Sequence, residues 1–138
     1  MAISRHALRI KAFELVFQSN IITAEEALDI ARIEEPDYFN NAYVETAVKG
    51  VSEKKDIIDK MISEHLKPTW SLKRLSKVVY SALKLAIFEM FYLDDVPAGA
   101  AINEAVEIVK QYGDEKEPAF VNGILAAILK DGNDDIRN

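Results

Sequence analysis

Arg5, His6, Arg9 and Lys11 stand within one short stretch, with no acid before Glu14. At a helix start, where the macrodipole adds its own positive end, such side chains attract phosphate oxygens, so the chemistry they offer is polyanion binding. Solvated basic termini are common, and the cluster by itself supports nucleic acid only weakly. A second cationic strip, Lys73, Lys77 and Lys84 with Tyr80 close by, reads as an ordinary wet helix face. Catalytic material is sparse. The absence of cysteine removes thiolate catalysis, Cys-ligated zinc, iron–sulfur clusters and disulfides together. His6 and His65 form no His-Glu-x-x-His pair, and the five glycines are isolated rather than gathered into a phosphate loop. Asp56 and Asp59 share a helix face, but Lys54, Lys55 and Lys60 surround them, as on a solvated surface. Glu89 is the unusual carboxylate, because a helical wheel puts it beside Ala82, Leu85 and Ala86. A charge there needs a partner, so a structural salt bridge or helix cap is expected ahead of a catalytic acid. No enzyme activity, cofactor or metal site is predicted.

The elements that must position these groups are helices. The chain has 138 residues, 49% hydrophobic and 29% charged, with a net charge of −6, a composition suited to one soluble globular domain. Its apolar runs fall short of the ~20 residues that cross a bilayer, and residues 1–20 carry Arg5, Arg9, Lys11 and Glu14 instead of a signal-like stretch. A cytoplasmic protein with no membrane partner is expected. Almost every segment has the 3.6-residue apolar period and none alternates as a strand, which predicts an all-α fold of six or seven helices.

Ser4 caps a first helix to about Ser19, and Thr23 to Glu26 forms a capping box for a second, ending near Glu35-Pro36. Residues 37–66 form one or two helices, broken around Gly50 and Ser52, and Lys67-Pro68 stops the run. Ser71 caps helix 72–93, whose broad apolar face makes it central to the core. Residues 98–112 form another helix with Gly113 as its C-cap, and Pro118 sits in the first turn of a last helix, 119–131. In the first helix Leu8, Ala12, Leu15 and Val16 make one apolar strip and Ile10, Phe13 and Phe17 a second; the second reads as core, with a partner surface as the alternative.

Three segments taken together are more specific. Residues 97–113, PAGAAINEAVEIVKQYG, and Phe120-Val121-Asn122-Gly123-Ile124-Leu125 resemble the paired signature of the NusB transcription antitermination family. Leu83 to Met90, LKLAIFEM, is similar to the family's core helix, Ser4 to Phe17 to its arginine-bearing first helix, and Val48 to Val51 to its mid-chain Gly-Val. The resemblance implies a NusB-like fold of about seven helices in two small bundles, near 1–67 and 68–131, with a polar tail at 132–138. It implies an RNA-binding antitermination factor that pairs with the small-subunit ribosomal protein NusE and holds boxA RNA of nascent ribosomal transcripts, within an antitermination complex on RNA polymerase. Carried over residue by residue, Arg5, His6 and Arg9 would contact phosphates. Tyr112, Lys116 and Phe120 would complete the RNA surface, while Phe17 and Val79 would face NusE. Self-association of the free protein through the NusE surface stays open, as does a protein-only helical adaptor without RNA.

The chain departs from the family pattern at several places. His6 and Ala7 occupy commonly basic positions, Lys84 replaces an arginine, Val79 stands where an acid is common, and Ala119 replaces a lysine. Asn103 and Asn122 belong to the signature and are expected to be architectural, each tying a helix end to a neighbour.

Overall fold

The computed structural model describes residues 2–137, with side chains through residue 131. Among the described residues the architecture is entirely helical. Helix α1 (Arg5–Gln18) begins where the Ser4 hydroxyl accepts the Ala7 amide at 3.0 Å. Helix α2 (Ala24–Glu34) begins in the reciprocal box between Thr23 and Glu26. Pro36 ends that run, and a 3₁₀ turn, Pro36–Phe39, leads into α3 (Tyr43–Glu53) and α4 (Lys55–Glu64). A second 3₁₀ turn, Leu72–Arg74, precedes α5 (Lys77–Tyr92), followed by α6 (Ala98–Tyr112) and α7 (Glu117–Arg137). No helix among the described residues is long and apolar enough to cross a membrane.

Three boundaries differ from expectation. The break after residue 50 falls at Lys54, and Gly50 lies inside α3. Its role is steric: a Cβ at Gly50 would fall within the Phe88 ring of α5, so the missing side chain is what lets these two helices approach. The cap of α5 is Ser76, whose hydroxyl accepts the Val79 amide at 3.1 Å, and not Ser71. The 3₁₀ turn and the extended Leu75 between the two serines put Leu75 into the core at 7% exposure. Helix α7 keeps a helical backbone to Arg137 because no proline stops it near 131; the side chains of the polar tail, 132–138, lie outside the described residues.

Helix α5 organises the molecule. It packs against α1, α3, α4, α6 and α7, and every residue from Ser81 to Phe91 is buried. A helix covered on all sides has no wet face, which explains why Lys84 is 3% exposed rather than part of a solvated strip. Helix α4 covers it: the Lys84 ammonium lies 4.0 Å from the Tyr80 ring centroid, and the Tyr80 hydroxyl donates to Asp59 at 2.6 Å. Burial pulls the Lys84 pKa from its ordinary value of 10.5 down to about 8.

Two measurements check this packing. Gly50→Ala should lose about 1–3 kcal/mol in denaturant unfolding through overpacking against Phe88. Helix propensity alone would instead gain about 1 kcal/mol, so a stabilised variant would refute the steric role. For Lys84 the folded pKa is depressed, so the unfolded chain holds the proton more tightly and stability rises with pH between about 8 and 10.5. Lys84→Met should therefore be more stable than the parent by about 1–3 kcal/mol below pH 8. That advantage should shrink as the pH climbs through this window, and an advantage independent of pH would contradict the assignment.

Candidate nucleic-acid interface

The amino-terminal helix is fixed first by a buried ion pair. Arg9 Nε lies 3.0 Å from both carboxylate oxygens of Glu89, and Arg9 Nη2 lies 2.9 Å from Oε2. Arg9 is 6% exposed and Glu89 1%. Burial alone would lower the Arg9 pKa, but the Glu89 carboxylate outweighs it and the pKa is raised. Tyr43 of α3 completes the cluster, with the Arg5 guanidinium 4.3 Å and that of Arg9 5.9 Å from its ring centroid. Burial, then the neighbouring Glu89 charge, push the Tyr43 hydroxyl well above the usual phenol range. The salt bridge expected for Glu89 is present. Its partner corrects the assignment of Arg9 as a phosphate contact, because that guanidinium is enclosed and already bound in a bidentate manner to a carboxylate.

The remaining basic side chains of α1 also have partners. Arg5 Nη1 lies 3.6 Å from Asp95, and His6 Nδ1 lies 3.0 Å from Glu104, which also approaches Arg9 at 3.6 Å. Lys11 sits between Glu14 and Glu35 at 3.0 and 2.7 Å. The positive field expected from the local sequence is therefore largely neutralised by acids that the fold brings in from α2, α6 and the α5–α6 turn. Arg5 and His6 nevertheless remain solvent-accessible, with side chains 40% and 56% exposed.

Helices α1 and α6 lie side by side, since His6 meets Glu104 and, about two turns on, Phe13 meets Tyr112 with ring centroids 5.4 Å apart. Tyr112 is 41% exposed. With Phe13, Phe17, Lys11, Glu14 and Val78 it lines a groove of about 610 Å³. Phe17 is half-buried on this groove, but Val79 is only 2% exposed and points into the core. The structure places Val79 in the core instead of on an accessible surface, and its neighbour Val78 lines the groove, because one residue rotates the side chain by about 100° around the helix.

Past Tyr112 the chain turns sharply. Asp114 Oδ1 accepts the amides of Lys116 and Glu117 at 2.9 and 3.0 Å, and Glu117 Oε1 accepts the Asp114 amide at 2.9 Å. This reciprocal box starts α7 and sets an exposed Lys116 and a half-buried Phe120 on the rim of a second recess, shared with Trp70 and Arg74. Sequence reasoning passed over Trp70 and Arg74 because their segment reads as the approach to and first turn of helix 72–93. Asn103 and Asn122 are exposed and make no hydrogen bond among the described residues, so they do not tie helix ends together.

The NusB family model matches residues 6–130. The transcription antitermination protein NusB of Bacillus subtilis (strain 168) is 40% identical over 129 residues, covering 92% of this chain and 95% of the relative. That of Enterococcus faecalis is 36% identical over 140 residues, covering 94% and 91%. Among solved structures, T. maritima NusB superposes with a TM-score of 0.78 at 34% identity, covering 95% of this chain and 94% of that one. A chain from the crystal structure of antitermination factors NusB and NusE in complex with dsRNA superposes with a TM-score of 0.74 at 29% identity, covering 91% and 96%.

Proposed function

This chain belongs to the NusB family, and on that premise we propose that it is an RNA-binding transcription antitermination factor. It pairs with NusE, holds boxA RNA of nascent ribosomal transcripts and acts within the antitermination complex on RNA polymerase in the cytoplasm. The observation that carries this reading is the side-by-side arrangement of α1 and α6, which leaves the exposed side chains of Arg5 and His6 on the same pair of helices as the exposed ring of Tyr112. The turn that follows carries Lys116 and Phe120. Phosphate contacts from the cations position the strand, while stacking and hydrogen bonds to unpaired base edges specify it. The related NusB crystallised with NusE and dsRNA supports both kinds of partner. The groove at Phe17 and Val78 is the seat for NusE, being apolar at its floor and charged at its rim.

Arg5 and His6 reach phosphate only by releasing Asp95 and Glu104, an exchange of one anion for another that salt suppresses. The pairing of every α1 cation with a carboxylate also favours the second reading, a protein-only adaptor that binds NusE and no RNA.

Gel-shift titrations separate the two. The parent with NusE should retard boxA single-stranded RNA more strongly than a scrambled strand or dsRNA. Arg5→Glu, with unchanged thermal unfolding, should weaken boxA binding by about tenfold and reduce the slope of log affinity against log salt by about 0.7. No retardation at low salt with NusE bound would establish the adaptor.

A further inference from the structure

The connection between α4 and α5 holds the chain's single tryptophan. Two consecutive turns shape it: the Trp70 amide donates to the Lys67 carbonyl at 2.8 Å and the Arg74 amide to the Ser71 carbonyl at 3.0 Å. They bring the Arg74 guanidinium to 5.1 Å from the Trp70 ring centroid. Trp70 is 41% exposed, and its ring lies 6.2 Å from that of Phe120 on α7, with planes 35° apart. These residues and Lys116 line a recess of about 270 Å³.

Charge distinguishes this recess from the N-terminal cluster. Arg5, His6, Arg9 and Lys11 all have carboxylate partners. Among the described residues, Arg74 and Lys116 have none. The acids at the rim, Asp114 and Glu117, are engaged with each other's backbone amides at the start of α7. An exposed indole beside the half-buried Phe120 ring, flanked by two cations without a carboxylate partner, matches what a single-stranded nucleotide presents, a flat base and a phosphate. An apolar side chain of a protein would leave both cations without a counter-charge.

We propose that Trp70 and Arg74, with Phe120 and Lys116, form a seat for one unpaired nucleotide of the bound RNA. The base stacks on Trp70, displacing the Arg74 guanidinium from the indole so that it and Lys116 hold the adjoining phosphates. This rests on the RNA-binding reading above and adds to it a place where the cations that would hold phosphate are not themselves paired with a carboxylate.

Because Trp70 is the only tryptophan of this chain, its emission reports on the seat directly. The full chain with NusE is titrated with boxA single-stranded RNA at low salt, with Trp70→Phe as the spectral blank, and a gel shift is run on the same samples. Emission from Trp70 should be quenched with the same midpoint as the shift. Trp70→Ala should weaken binding by about tenfold while Trp70→Phe stays near the parent, since stacking tolerates any aromatic face. Arg74→Ala should lower the salt slope by about 0.7. A gel shift with unmoved emission and unweakened Trp70→Ala binding would overturn the seat and leave RNA binding intact. Emission that responds to NusE alone and no further to RNA would assign the recess to protein and overturn it equally. Absence of any gel shift would overturn the seat and the RNA-binding reading together.

Discussion

Arg9 and Glu89 are 80 residues apart in sequence and joined by three hydrogen bonds inside the protein. Taking both charges out of water is costly, and the cost is offset only while each is the other's partner. That condition makes α1 inseparable from α5, the helix on which α3, α4, α6 and α7 also pack. Tyr43 from α3 closes over the pair, and Glu104 from α6 reaches it from the other side. Four helices therefore meet at one buried charge cluster, and the orientation of the exposed part of α1 follows from it.

The same cluster sets the electrostatics of the surface. Anchoring α1 beside α6 and the α5–α6 turn gives Arg5 and His6 the carboxylates of Asp95 and Glu104 as neighbours. The α1 end is thus a place where an incoming polyanion competes with resident acids. The opposite holds around Trp70, where the start of α7 consumes Asp114 and Glu117 in capping and leaves Arg74 and Lys116 unpaired. Local folding chemistry, more than the net charge of −6, decides where phosphate can settle.

Much of the fold was legible because its signals are local. Ser4, Thr23, Gly113 and Pro118 mark helix ends through hydrogen bonds or backbone limits within a few residues. Glu89 announced a partner because an unpaired charge on an apolar face is untenable. What was illegible depended on contacts distant in sequence. Nothing near Arg9 says that its guanidinium is enclosed, and nothing near Lys84 says that α4 covers it. Val79 was expected at a surface only from the family resemblance, and a helix buried nearly all round offers no periodicity that would have shown its side chain turned into the core. Gly50 looked like a helix break since propensity ignores the Phe88 ring that needs its space. Trp70 and Arg74 escaped notice because the segment before Ser76 reads as the approach to and first turn of helix 72–93, whereas it folds as two separate turns.

Arg9 serves the architecture through Glu89, and in the proposed RNA complex it leaves the strand to other residues. This division of roles is tested most directly by a double-mutant cycle on Arg9→Met and Glu89→Met, reading thermal unfolding and boxA RNA affinity in the presence of NusE. Each single variant should be destabilised by about 3–5 kcal/mol, because it strands a buried charge, and the double variant should recover most of that loss. The recovered double variant should bind RNA as the parent does. A double variant that regains stability yet loses RNA affinity would show that the Arg9 guanidinium meets the RNA itself, and the account would be wrong.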